Sequence, residues 1–181
     1  NLGPYASSLT LEGPIIKEKL SYLISARRSN MEWLKPSNYT PNSFNFYFYD
    51  INLKINSILN TRNRLYLSFY RGEDNISQLT ESSIKTFGMR WNNLTGNFRW
   101  NYIPTNKIFL NTTLAFNKYS YFLFLDARHN SYWKSSIEGL HLKSDLTWYV
   151  NADNTLRTGI FIENLIADQG NIYPSRIDSL N

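Results

Sequence analysis

Two histidines and scattered serines and acidic residues are the side chains in this sequence whose types could do chemistry. His129 ends the loop-like stretch Asp126-Ala-Arg-His129, and His141 lies four residues before Asp145. No spacing brings two histidines and a carboxylate together for zinc. Serines such as Ser68 lack the sharp-turn context of a nucleophile. We therefore expect no catalytic residue, no metal site, no cofactor and no enzymatic activity.

Cysteine content and charge exclude further classes of function. The chain has no cysteine, which removes disulfides, thiolate metal sites and cysteine nucleophiles. Its formal net charge is +5, but the lysines and arginines are scattered, and the one adjacent pair is Arg27-Arg28. Nucleic-acid-binding proteins instead cluster basic residues on one face or helix. The sequence therefore does not favour a nucleic-acid partner.

The elements that carry these side chains are predicted to be β-strands. Apolar and polar residues alternate with a period of two, which is the strand signal. The clearest alternation sets Leu140, Leu142, Ser144, Leu146, Trp148 and Val150 against His141, Lys143, Asp145, Thr147 and Tyr149. Three earlier segments repeat the plan of two alternating runs joined by a polar corner. We therefore expect four β-hairpins.

The third hairpin contains a change of phase. Odd-numbered residues carry the apolar side chains from Phe87 to Trp91, whereas even-numbered residues carry them from Leu94 to Tyr102. We interpret this change as a β-bulge at Asn92-Asn93. The segment Ile103–Asn106 is expected to form the turn, because Pro104 suits a corner better than a strand interior.

Corners and loops alternate in length along the chain. Tight polar corners start near residues 16, 59, 103 and 151, and longer segments at 29–43, 72–86, 120–136 and 167–181 lie at the opposite end of the hairpins. Short turns at one end and long loops at the other are typical of bacterial outer-membrane barrels. Strands of about ten residues, tilted by roughly 45°, also match an apolar band of roughly 25 Å.

Composition favours a β-sheet with one face in lipid and the other in water. Aromatic residues make up 16% of the chain, and no apolar run approaches the roughly 18 residues of a membrane helix. The polar strand positions hold charged groups that a dry core would not accept unpaired. The residues expected to face the lumen are Asp50, Lys54, Arg99, Lys143, Asp145 and Arg157. The residues expected to face lipid are Leu110, Leu114, Leu142, Leu146 and Ile160.

Three stretches of the chain are similar to one protein family. Residues 9–28 read LTLEGPIIKEKLSYLISARR, residues 63–71 read NRLYLSFYR, and residues 91–119 contain WNNLTGNFRWN and NTTLAFNKY. These stretches resemble barrel segments of the TonB-dependent outer-membrane receptors of the Bacteroidetes type. The resemblance covers residues 8–119, continues more weakly to about 166, and includes no catalytic motif.

This resemblance implies a fold, a function and a set of partners. The fold would be an all-β transmembrane antiparallel barrel of about 22 strands, with residues 1–181 as a partial wall of about eight, roughly strands two to nine. The plug domain, the TonB box and the remaining strands would lie outside this sequence, which shows no targeting signal. The function would be energised uptake of a siderophore, peptide, glycan or vitamin. The implied partners are outer-membrane lipid, the plug, TonB and, as a further candidate, a SusD-like surface lipoprotein.

Ligand contact in such a receptor is expected in the long loops and the upper lumen. The aromatic candidates are Trp33, Tyr39, Tyr121, His129, Tyr132 and Trp133. Two other classes fit the strand pattern, namely a complete eight-stranded outer-membrane barrel with a structural or adhesive role and a soluble β-domain that binds carbohydrate. A closed ring of eight would crowd charges into a narrow interior. We therefore expect the strands at residues 9–15 and 156–162 to pair with strands outside this sequence.

Overall fold

The structure, a computed structural model, describes residues 1–29, 43–79, 85–124 and 131–173. These residues contain eight β-strands: β1 (Ala6–Ile16), β2 (Leu20–Ser29), β3 (Ser43–Asn60), β4 (Asn63–Leu79), β5 (Lys85–Thr105), β6 (Ile108–Phe124), β7 (Tyr132–Tyr149) and β8 (Thr155–Tyr173). Within the same ranges, no helix is long and apolar enough to cross a membrane. The prediction of an all-β fold is confirmed.

The eight strands form one antiparallel sheet in which each strand pairs with its neighbours in sequence, in the order β1 to β8. The sheet is open. Among the described strands, β1 pairs only with β2, and β8 pairs only with β7. Apart from a short bridge between Leu2 and Ser7, the outer edges of β1 and β8 therefore present backbone groups to which another strand could bond.

The pairing register places apolar residues of all eight strands on one face, which we call the apolar face. One row crosses the whole sheet through Gly13, Tyr22, Ile55, Leu67, Phe98, Leu114, Leu142 and Ile162. The rows between Leu110–Leu146 on the turn side and Phe116–Leu140 on the loop side form the apolar band. The five residues expected to face lipid all lie on this face.

The alternate positions of the same strands form the polar face. One of its rows runs through Glu12, Leu23, Lys54, Ser68, Asn97, Ala115, His141 and Glu163. The six residues expected to face a lumen all lie on this second face: Asp50, Lys54, Arg99, Lys143, Asp145 and Arg157. That the polar face lines a lumen stays a prediction.

The described part of the sheet has no core of its own. None of its hydrophobic residues is buried, and the side chains of the apolar band stay open, with Leu114 44%, Leu142 40% and Ile162 58% exposed. Leaving apolar surface in water costs about 25 cal/mol per Å². The apolar face therefore needs a covering that these residues do not supply.

Tight turns join the strands of the first, second and fourth hairpins where polar corners were expected. Between β1 and β2, the backbone N–H of Lys19 donates to the carbonyl of Ile16 at 3.0 Å. Between β7 and β8, the side-chain oxygen of Asn151 accepts from the backbone N–H groups of Asp153 and Asn154 at 3.1 and 2.8 Å. Asparagine favours such turns because its side chain can replace a backbone acceptor.

The third turn lies further along the chain than expected. The segment Ile103–Asn106 was predicted to turn, but β5 continues to Thr105 and the turn is Asn106-Lys107. Pro104 lies in the irregular pairing between Tyr102 and Thr105. A proline is tolerated there because an irregular position requires no ladder hydrogen bond from its nitrogen.

The predicted bulge at Asn92-Asn93 is wrong. Pairing of β5 with both β4 and β6 continues through these two residues without a register shift. As a result, Phe87, Met89 and Trp91 lie on the polar face. The strand keeps its phase, and it is the polar face that changes from hydrophilic to aromatic along its length.

Six of the described strands, β3 to β8, are also longer than the expected length of about ten residues, with 17 to 21 residues each. β5 has 21 residues, and β3 and β7 have 18 each. β4 runs to Leu79, well inside the segment 72–86 that was expected to be a loop. The ladder continues because backbone hydrogen bonds do not require apolar side chains. The hairpins therefore extend past the apolar band on the loop side.

Candidate functional site

The polar face contains a groove of about 720 Å³ that extends over β1 to β5. The charged and polar side chains that line the groove include Glu12, Lys54, Asn56, Tyr66, Asn97 and Arg99. Neither Lys54 nor Arg99 forms an ion pair with any residue that the structure describes. The groove therefore has an excess of positive charge.

Two pairs of oppositely charged side chains on the polar face form ion pairs. Arg27 Nη2 lies 2.6 Å from Asp50 Oδ2, and Lys143 Nζ lies 3.2 Å from Asp145 Oδ2. The side chains of Arg27 and Lys143 are 55% and 57% exposed. Ion pairs this open contribute only about 0–1 kcal/mol. They make the face compatible with water or a polar protein surface without stabilising the sheet strongly.

His141 contacts three side chains on the polar face. Its Nε2 lies 2.6 Å from Asn117 Oδ1, its Nδ1 lies 3.2 Å from Glu163 Oε1, and its ring stacks on Phe161 at 6.2 Å. Asp145, which shares this face, pairs with Lys143 instead. Across the described ranges, no three His, Cys, Asp or Glu side chains are placed to hold a metal ion.

Asparagine amides occupy the turn-side half of the polar face. The side-chain oxygens of Asn56, Asn97, Asn101 and Asn111 are shielded from solvent and accept no hydrogen bond from the residues the structure describes. A shielded acceptor without a donor is costly in a folded protein. In this conformation, the four oxygens are left without a hydrogen-bond donor among the described residues.

The loop-side end of the polar face is aromatic. Six of its side chains, from β3, β5, β6 and β7, form what we call the aromatic end: Phe46, Phe48, Met89, Trp91, Tyr121 and Trp133. Tyr121 and Trp133 meet edge to face, with ring centroids 5.7 Å apart and planes at 69°. The Tyr121 hydroxyl also donates to Met89 Sδ at 3.0 Å. Tyr121 therefore links three strands within the aromatic end.

A bulge in β8 fixes Trp133. The register shift opposite β7 gives β8 an extra residue, and Gly170 there has a φ of 83°. The indole N–H of Trp133 donates to the Gln169 carbonyl at 3.0 Å, and the Ser135 hydroxyl donates to the Asp168 carbonyl at 2.8 Å. Bulges often redirect a side chain at a functional site. Trp133 is thus held in place by its neighbour strand.

The candidate ligand residues are divided between the two faces. Tyr121 and Trp133 are in contact on the polar face. Tyr132 lies on the apolar face beyond the band, where it stacks on Phe122 at 5.4 Å. Trp33, Tyr39 and His129 lie outside the described residues. Sequence reasoning did not include four members of the aromatic end: Phe46, Phe48, Met89 and Trp91. The sequence signal that could have identified them is their spacing. Phe46 and Phe48 alternate in phase with Asp50 along β3, and Met89 and Trp91 alternate in phase with Arg99 along β5.

Comparison with protein-family models, curated proteins and solved structures gives no match to this chain.

Proposed function

We propose that residues 1–181 form part of the wall of a transmembrane β-barrel in the bacterial outer membrane, and that the barrel is a TonB-dependent receptor for a scarce ligand. The observation that carries the proposal is one apolar face, continuous across eight strands, with none of the described hydrophobic residues buried. The resemblance of residues 9–28, 63–71 and 91–119 to barrel segments of such receptors supports the transport function.

Lipid is the covering that fits the apolar face best. From Leu140, through the band, to Trp148 one row beyond its turn side, β7 spans about 26 Å along the strand and about 19–22 Å across a membrane at a tilt of 35–45°. On the turn side of the band, Trp100 and Tyr102 stack at 5.2 Å. Aromatic rings of this kind prefer the membrane–water interface. The length of the band and its aromatic edge both fit a spanning wall.

The open edges support a barrel larger than eight strands. In lipid, every backbone N–H and C=O group needs an internal partner, so a spanning sheet must close. β1 and β8 do not pair with each other. In addition, a ring of about eight strands leaves an interior only wide enough for side chains, whereas the polar face carries Lys54 and Arg99, which have no ion-pair partner among the described residues. A wider ring, filled by water and a polar plug, accommodates these charges.

The aromatic end is the part of this wall that we assign to ligand contact. It lies on the side that would line the lumen, beyond the apolar band and next to the long loops. Tyr121 and Trp133 offer ring faces and edges of fixed position. A siderophore, a peptide, a glycan and a vitamin all present surfaces that stack on such rings. A SusD-like lipoprotein would then cover the same end of the barrel.

The proposal is tested with the full-length protein in its native host. We expect it in the outer-membrane fraction, extracted only by detergent, with uptake of the ligand abolished when the TonB box is deleted. Recovery of folded protein in the aqueous fraction would contradict the membrane assignment. Uptake that persists without the TonB box would contradict the transport mechanism and leave the barrel assignment standing.

A further inference from the structure

Three cations lie on the apolar face just beyond the loop side of the band. They are Arg71 on β4, Arg90 on β5 and Lys118 on β6, so they occupy three adjacent strands. The register puts Arg71 opposite Leu94 and Leu94 opposite Lys118. This row follows directly on the one that contains Phe116. The cations therefore begin where the apolar band ends.

The three cations surround polar side chains. Arg71 and Lys118 are two strands apart, about 10 Å between Cα atoms, and Arg90 is four residues from Leu94, about 13 Å along β5. Between them lie Asn92 and Ser120, whose Nδ2 and Oγ atoms are 3.5 Å apart. Long arginine and lysine side chains reach across such distances. The patch thus combines three positive charges with an amide and a hydroxyl donor.

The acidic groups nearby are already engaged. Glu138 Oε1 lies 2.5 Å from Lys118 Nζ. Both oxygens of Glu73 accept hydrogen bonds, from the hydroxyls of Tyr47 at 3.1 Å and Tyr49 at 3.3 Å. Burial, followed by the hydrogen bond to Glu73, raises the pKa of Tyr47, which lies beyond the band, so this phenol remains a donor at neutral pH.

Arg71 and Arg90 are consequently free to take an anion from outside. Both side chains are exposed, and neither pairs with a carboxylate among the residues the structure describes. Arg90 lies over the Phe122 ring, with its Cζ atom 5.3 Å from the ring centroid. Stacking of this kind orients a guanidinium and leaves its N–H edge open.

We propose that Arg71 and Arg90, with Asn92 and Ser120 between them, bind a phosphate group on the headgroup of a lipid in the loop-side leaflet. Guanidinium groups bind phosphate oxygens in pairs. A lipid whose acyl chains cover Phe116 and Leu140 places its headgroup at this height, so a lipid phosphate fits better than free phosphate. The inference rests on the proposed membrane location.

The test uses the full-length protein in neutral detergent and lipid A, which carries phosphate monoesters on a sugar headgroup, as the probe. We expect the double variant Arg71→Gln/Arg90→Gln to bind lipid A about tenfold more weakly or worse. The matched control, Lys54→Gln/Arg99→Gln, removes two cations from the opposite face and should bind as the wild type does. Unchanged heat-modifiable migration on gels shows that both variants are folded.

Equal binding by the two variants, or displacement of lipid A by millimolar inorganic phosphate, would overturn the inference. Failure of the proposed function gives a different result, because the wild type would then stay in solution without detergent. Protein that inserts normally but binds lipid A independently of Arg71 and Arg90 contradicts the lipid site alone.

Discussion

The indole N–H of Trp133 donates to the backbone carbonyl of Gln169 at 3.0 Å, across the boundary between β7 and β8. This bond ties the position of an aromatic side chain to a bulge in the neighbouring strand. The Tyr121 ring then packs edge-on against Trp133. A binding surface needs side chains that are already ordered, because ordering them on binding costs free energy. The bulge supplies that order for the aromatic end.

The conformation of Gly170 should be essential for this bulge. Its φ is 83°, and a Cβ atom there would collide with the carbonyl oxygen of Lys134 and with Trp133 Nε1. We expect Gly170→Ala to lower the free energy of unfolding by about 1–3 kcal/mol and to shift the tryptophan fluorescence. Gly96→Ala is the control, since nothing lies within 4 Å of its Cβ position. If Gly170→Ala left the free energy of unfolding and the tryptophan fluorescence unchanged, the bulge would not be what fixes Trp133.

The aromatic end should contribute to ligand affinity. Tyr121→Ala and Trp133→Ala remove rings that meet on the polar face, and each is expected to weaken binding of the transported ligand about tenfold or more. Tyr132→Ala, next in sequence but on the opposite face, should leave the dissociation constant unchanged. Calorimetric titration of the three full-length variants separates these results. If only Tyr132→Ala weakened ligand binding, the ligand would contact the apolar face and the assignment to the aromatic end would be contradicted.

The two faces should tolerate charge very differently. Leu114→Arg or Leu142→Arg near the middle of the band is expected to cost about 2–4 kcal/mol, because each puts a guanidinium in lipid. Asn111→Arg, on the polar face, should cost little. Equilibrium unfolding from lipid vesicles measures all three. If substitutions at Leu142 and at its neighbour Lys143 proved equally harmless, the assignment of the faces would fail.

The sheet edges should be paired in the full-length protein. We expect a structure of the complete chain to show β1 and β8 each hydrogen-bonded to a strand outside residues 1–181, because unpaired edges are not stable in lipid. Hydrogen bonds between β1 and β8 themselves, in a closed ring of eight, would contradict this expectation and support the small-barrel alternative.

Alternation was enough to predict the faces of the later strands. Along β7 from Leu140 to Trp148, one set of alternate residues is mainly apolar and the other is mainly polar, and the register confirms which residues share a face. Alternation failed to predict the faces of β5. A β-bulge and a change in the composition of one face both move the apolar residues from odd to even positions, so the sequence pattern does not distinguish them. Phe87 and Trp91 reflect a change in the composition of the polar face, because β5 keeps its register.

Strand ends and the Trp133 contacts were beyond the reach of sequence reasoning. Residues such as Glu73 and Asp74 read as loop, yet the backbone ladder of β4 continues through both. The bulge around Gly170 fell within a segment expected to be a loop, 167–181. Its effect depends on the register between β7 and β8, which no local pattern specifies. The contact between Tyr121 and Trp133 therefore had to be observed.

The central claim is that the apolar face lies in lipid while the polar face lies in water. These 181 residues contain no cysteine, so single cysteines can be placed and spin-labelled along β7, from residue 138 to 148, in the full-length protein in vesicles. Collision with oxygen, which concentrates in lipid, should be highest at Leu140, Leu142 and Leu146. Collision with a water-soluble nickel reagent should be highest at His141, Lys143 and Asp145. Two profiles that alternate out of phase with a period of two are the predicted result, and profiles that rise and fall together would contradict the claim.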